Sequence, residues 1–127
     1  MYVEIDENSG FCFGVVRAIS RAEVALSESD GEVYSLGDIV HNRMEVQRLE
    51  DMGLRTVTHD DMEALQGRDL FIRAHGEPPT TYARARELGI HVIDATCPVV
   101  AQLQRKVVAA HEQMESVGGQ VVILGKR

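Results

Sequence analysis

The chain has no tryptophan, few aromatic residues (5%), three prolines and two cysteines, and its 20 acidic residues outnumber its 13 Lys and Arg. Two cysteines cannot build a disulfide scaffold, and Cys12 and Cys97 are too far apart for a Cys-x-x-Cys pair. A formal charge of −7 argues against nucleic acid or an anionic membrane as the main partner. No apolar run approaches the roughly 18 residues of a membrane span. Met1-Tyr2-Val3-Glu4-Ile5-Asp6 lacks the basic and then apolar order of a secretory signal, so the expected location is the cytoplasm. Linker-like and low-complexity segments are also missing. What remains is ordinary globular material: 44% hydrophobic and 26% charged residues in 127 positions. That is enough for a real core, yet short for an enzyme that encloses its substrate between domains.

The apolar pattern alternates in type along the chain. Tyr2–Ile5 reads as a short strand, broken at Asn8-Ser9-Gly10, and Val15, Val16, Ile19, Ala22 and Leu26 follow at helical spacing. Asp30-Gly31 closes that helix and Glu32–Leu36 is the next strand. Met44, Val46, Leu49 and Met52 before Gly53 mark a second helix. Leu54–Val57 is a strand, Asp60–Leu65 a short acidic helix, and Asp69–Arg73 a strand whose Leu70-Phe71-Ile72 suits burial on both faces. Pro78-Pro79 starts a helix that Gly89 ends, because proline is tolerated in a first turn. Ile90–Asp94, a long helix opened by Pro98, and Val121–Leu124 complete six strands and five helices. Such alternation predicts an α/β fold of repeated βα units with a mostly parallel sheet.

Ligands of open parallel sheets bind beyond the carboxyl ends of the strands. Cys12, His41, His75 and Cys97 each follow a predicted strand and precede a helix, so four of the chain's seven Cys and His residues fall on one edge. Helix N-termini offer unpaired N–H groups that stabilise a thiolate or an oxyanion. Gly10 and Gly14 beside Cys12 let the backbone approach a bulky ligand. His41 and His75 suit phosphate oxygens or proton transfer.

Plainer readings compete with these. A lone cysteine is most often a small core hydrophobe. His59 in an acidic stretch, His91 in a strand and His111 on a helix read as solvated or structural, and the Asp60-Asp61-Glu63 cluster as a favourable first helical turn. Two cysteines alone complete neither a zinc site nor a cubane cluster. A flavodoxin-like module holding phosphate or a nucleotide without chemistry stays open, although no phosphate-loop or dinucleotide fingerprint is present. So does a thiol redox protein using Cys12 and Cys97.

Four segments together carry a resemblance: Gly10-Phe11-Cys12-Phe13-Gly14-Val15-Val16-Arg17-Ala18-Ile19, Val40-His41-Asn42-Arg43, Ala74-His75-Gly76 and Asp94-Ala95-Thr96-Cys97-Pro98. In order and spacing they resemble the LytB-type 4-hydroxy-3-methylbut-2-enyl diphosphate reductases. The resemblance implies the last step of non-mevalonate isoprenoid synthesis, in which a hydroxyl is removed reductively to give isopentenyl and dimethylallyl diphosphates. It implies an iron–sulfur cluster of the 4Fe–4S type on three cysteines, the first two mapping to Cys12 and Cys97, and diphosphate binding by His41 and His75. It further implies an electron donor of ferredoxin or flavodoxin type. By the same resemblance, residues 1–95 form the first of three α/β domains and 96–127 the opening of a second. The third cysteine and a catalytic glutamate then lie beyond position 127. Glu77, where many relatives carry an apolar residue, and Ala101-Gln102-Leu103-Gln104 depart from the family pattern.

Overall fold

The computed structural model describes residues 1–7, 9–29 and 32–125. Asn8, Asp30-Gly31 and Lys126-Arg127 fall outside the described residues, and with them part of the first predicted turn and the first predicted helix stop.

Four short strands, β1 (Val33–Leu36), β2 (Leu54–Val57), β3 (Asp69–Ile72) and β4 (His91–Asp94), form one sheet. They pair entirely in parallel in the order β2-β1-β3-β4. The two central strands are the most apolar, as burial on both faces requires. Val33, Leu36, Leu70, Phe71 and Ile72 are at most 1% exposed. The pleat sends Phe71 to one face and Leu70 and Ile72 to the other.

On the Phe71 face lie α1 (Phe13–Glu28) and α2 (Arg43–Asp51). Ala18, Ala22, Ala25 and Leu26 recur at helical spacing on the buried side of α1, and their small side chains let it sit close to the sheet. The opposite face is covered by a 3₁₀ segment, His59–Leu65, which contributes Met62 and Leu65, and by α3 (Pro79–Glu87), which contributes Ala85. The acidic stretch expected as a short helix is thus a 3₁₀ turn. It opens on a capping box in which Thr58 and Asp61 satisfy each other's backbone N–H. The long helix α4 (Pro98–Glu115) follows β4 and buries none of its residues.

Two predicted strands do not form. Tyr2–Ile5 and Val121–Leu124 join no sheet among the described residues. Tyr2, Val3, Ile5, Val122, Ile123 and Leu124 are all exposed. A β-prone run becomes a strand only when a neighbouring edge takes its hydrogen bonds, and neither segment meets one.

Candidate functional site

The strand order identifies the crevice. From β1 the chain crosses outward to β2, then returns to the other side of β1 to lay down β3 and β4. The topology therefore reverses between β1 and β3, where the loops after the two strands diverge and leave room for a ligand. Those loops carry His41 and His75. Their rings lie 6.0 Å apart between centroids, tilted by 44°. Each is held from below by buried neighbours: Ile39 and Val40 before His41, Ile72 and Ala74 before His75. Asn42, directly after His41, caps α2 by accepting the Glu45 N–H at 3.1 Å. Asparagine is a preferred cap, which fixes where the His41 loop ends and the helix begins.

Cys12 and Cys97 converge beside this crevice. Cys12 stands at the N-cap of α1 and Cys97 at the N-cap of α4, and neither helix has a side-chain cap. Gly14 lies between them. A Cβ there would stand 2.8 Å from Cys97 Sγ and 4.0 Å from Cys12 Sγ, so both sulfurs lie within 4.0 Å of one point. Both thiols are free, Cys12 exposed and Cys97 half-buried. The Arg17 guanidinium donates to the Thr96 carbonyl at 3.4 Å, tying α1 to the Cys97 loop.

The His75 and Cys97 loops are also tied together. The Cys97 N–H donates to the Ala74 carbonyl at 2.9 Å, extending the β3–β4 ladder past the last strand residue. Gly76, at φ +74°, packs against Thr96, whose methyl and hydroxyl would stand 3.1 Å from a Cβ. Only glycine combines that backbone angle with so close an approach. Thr96 is itself held by Asp94, which accepts from the Thr96 N–H at 2.8 Å and from its hydroxyl at 2.5 Å. The Tyr82 hydroxyl donates to Asp94 at 3.2 Å. Burial, with the Asp94 carboxylate close by, pushes the Tyr82 phenol above its ordinary range.

Two features had no distinct signal in the sequence. Glu77 turns its carboxylate inward, with its side chain 7% exposed, and pairs with His59 Nε2 at 2.9 Å. Arg73 lies along Gly37 at the carboxyl ends of β1 and β3, and its Nε is buried without a hydrogen-bond partner. Its guanidinium adds positive charge to an edge that already holds two histidines, in a chain that is otherwise acidic. An apolar cleft of about 930 Å³ adjoins the edge, between the start of α3 and α4, lined among others by Glu77, Tyr82, Thr96 and Leu103. His59 could have been noticed only by knowing that a loop 18 residues downstream folds back beside it.

A LytB protein family model matches residues 3–127. The chain belongs to the LytB protein family. Over 125 residues it is 54% identical to a 4-hydroxy-3-methylbut-2-enyl diphosphate reductase of Porphyromonas gingivalis, covering 98% of this chain and 43% of that protein. A reductase of the same name from Chloroherpeton thalassium is 52% identical, with 99% of this chain and 38% of the relative covered. The structure also resembles the E-1-hydroxy-2-methyl-but-2-enyl-4-diphosphate reductase of Plasmodium falciparum, with a TM-score of 0.79 and 32% identity over 84% of this chain and 33% of that one. A solved (E)-4-hydroxy-3-methyl-but-2-enyl diphosphate reductase, described as the terminal enzyme of the non-mevalonate pathway, gives a TM-score of 0.71 and 42% identity. That match covers 94% of this chain and 41% of the other. The chain thus spans less than half the length of these LytB relatives.

Within this LytB chain the donor set suits part of a thiolate-bound centre. The two sulfurs converge, the glycine between them leaves room, and the flanking helix ends leave N–H groups without side-chain caps. Among the described residues no group of three or more His, Cys, Asp or Glu is arranged to hold a metal ion. Cys12 and Cys97 alone would supply two thiolates, fewer than such a centre needs. Nor, among the described residues, is any helix long and apolar enough to cross a membrane.

Proposed function

We propose that this chain contributes the first portion of a 4-hydroxy-3-methylbut-2-enyl diphosphate reductase. The observation that carries the reading is the juxtaposition at one sheet edge: His41 and His75 face each other across the switch point while the Cys12 and Cys97 sulfurs converge beside them. Imidazole N–H groups are good donors to diphosphate oxygens, and rings 6.0 Å apart are near enough for one phosphate group to accept from both. The Arg73 charge favours the same anion. Cys12 and Cys97, as thiolates, would hold an iron–sulfur cluster of the 4Fe–4S type with a third cysteine from outside residues 1–127. Such a cluster, when bound, supplies electrons for reductive removal of the substrate hydroxyl. Two electrons and two protons turn the allylic alcohol into an alkene and water. Residues 1–95 then form the first α/β domain and 96–127 begin the second, a reading supported by an α4 that buries none of its residues. A ferredoxin or flavodoxin would donate the electrons, and the enzyme would work in the cytoplasm.

The test is made in an enzyme of full family length. His41→Ala or His75→Ala should each weaken binding of the diphosphate substrate by about 1.5–3 kcal/mol, the loss of one hydrogen bond to a charged group, with iron and sulfide content unchanged. Loss of cluster with unchanged substrate affinity would reverse the assignment. The 127-residue chain alone should give no anaerobic turnover with a strong artificial reductant, because two thiolates leave the cluster short of a ligand.

A further inference from the structure

We propose that His59 and Glu77 form a positioning pair that holds the loop 73–78 so that the His75 ring faces His41, an inference that rests on the diphosphate reading of that crevice. The loop needs outside support. It runs into Pro78-Pro79, and α3 has no side-chain cap at its N-terminus. Gly76 within the loop has a backbone angle that glycine adopts freely in many alternatives. On one side the loop is fastened by the Cys97 N–H to Ala74 and by the contact of Gly76 with Thr96. Glu77 fastens the other side.

Its carboxylate is folded under the loop instead of pointing to water, leaving the side chain only 7% exposed. A carboxylate in that position needs partners. The buried Thr81 hydroxyl, one helical turn on, donates at the long distance of 3.4 Å. The short bond, 2.9 Å, comes from His59 Nε2, which an Nε2–H tautomer donates. His59 is the first residue of the 3₁₀ segment, and the Thr58–Asp61 capping box fixes the backbone from which it reaches. The ring reaches across from the loop after β2 to the loop after β3. Glu77 is two residues from His75, so a carboxylate released to water carries the loop, and the His75 ring, with it.

A merely structural ion pair behaves differently. The His59 side chain is 59% exposed, and pairs that open to solvent contribute little to global stability. Positioning therefore predicts a small change in melting temperature and a large change at His75.

The experiment uses the 127-residue chain, with NMR contacts between the His41 and His75 ring protons as one readout and a titration with inorganic diphosphate as the other. In His59→Ala the ring contact should disappear and diphosphate should bind about tenfold more weakly, the loss of one misaligned charge-assisted hydrogen bond. His59→Gln, whose amide can still donate to Glu77, should restore both, and Glu77→Ala should repeat the His59→Ala result. Retention of the ring contact and of diphosphate affinity in His59→Ala and Glu77→Ala would overturn the positioning role, whatever happens to the melting temperature. A wild-type chain whose histidines do not respond to diphosphate would instead sink the diphosphate reading, and the ring contact would still decide whether the pair positions His75.

Discussion

Burial falls steadily from β3 outward through β4 to α4. In β3 the residues Leu70, Phe71 and Ile72 are almost wholly enclosed, in β4 Val92 and Ile93 are half-covered, and α4 leaves Val99, Leu103 and Val108 open. All three segments are apolar enough to be core. Only the first lies between two covered faces. The difference separates what an amino acid prefers from what the chain supplies: β3 has α1 and α2 on one face and the 3₁₀ segment and α3 on the other, whereas α4 touches the α3 side only across an open cleft and buries none of its residues. Cys97 lies on the boundary between the two regimes, packed against the core cluster on one side and starting the uncovered helix on the other.

The gradient would break first at its enclosed end. Phe71→Ala removes a side chain with no exposed surface from the middle of the central strands, and the rigid sheet around it cannot close the gap. Such truncations cost about 3–5 kcal/mol. Set against a typical stability of about 5–15 kcal/mol, that is enough to leave the chain marginal. Denaturant unfolding followed by far-UV circular dichroism would measure it. A loss below about 1 kcal/mol would mean that β3 is not the centre of the fold.

At the boundary a smaller effect is expected, and its sign on stability is less telling than its chemistry. Gly14→Ala places a methyl 2.8 Å from Cys97 Sγ and 3.1 Å from Cys97 Cβ, so Cys97 must move. Overpacking of this kind costs about 1–3 kcal/mol, offset by the roughly 1 kcal/mol advantage of alanine over glycine in a helix. Net stability should fall by about 0–2 kcal/mol. The two thiols, however, should no longer converge. Titration with Cd²⁺, read by its thiolate absorption, should show binding weaker by about tenfold or more, equivalent to 1.4 kcal/mol. Unchanged affinity would show that α1 and the start of α4 are not coupled through Gly14.

Much of this was legible in the sequence, and the parts that were not share one cause. The alternation of strand-like and helix-like runs places His41, His75 and Cys97 on the carboxyl edge, because in a parallel sheet every loop after a strand lies there; Cys12 follows a run that forms no strand and takes its place from the start of α1 instead. That inference uses only local pattern. The pairing of His41 with His75 needs the strand order, which puts β3 beside β1 and β2 on the far side. Nothing local in Val33–Leu36 or Asp69–Ile72 states that order. The same limit explains the two strands that did not form. Tyr2–Ile5 and Val121–Leu124 have suitable residues, but a ladder requires a partner that a local pattern cannot name. Glu77 stood out only as a departure from the family pattern, and His59 read as solvated or structural, for a further reason. Each acquires its place only through the other, across two connections on the same edge.

The smallest expected effect lies at the open end of the gradient, and it sharpens the comparison most. Leu103 is 59% exposed on α4. Leucine and alanine are both strong helix formers, so Leu103→Ala leaves local propensity almost unchanged. Little apolar area returns to water, because little left it. In the 127-residue chain the change in unfolding free energy should therefore stay within about 0.5 kcal/mol, as for surface substitutions generally. The expectation differs in an enzyme of full family length. If α4 opens a second α/β domain, Leu103 becomes a core residue there, and the same substitution should cost about 2–5 kcal/mol. Unfolding of Leu103→Ala in both lengths gives the contrast directly. Equal, negligible losses would mean that α4 is a solvated helix in the longer protein too, and the division of the chain near residue 95 would have to be abandoned.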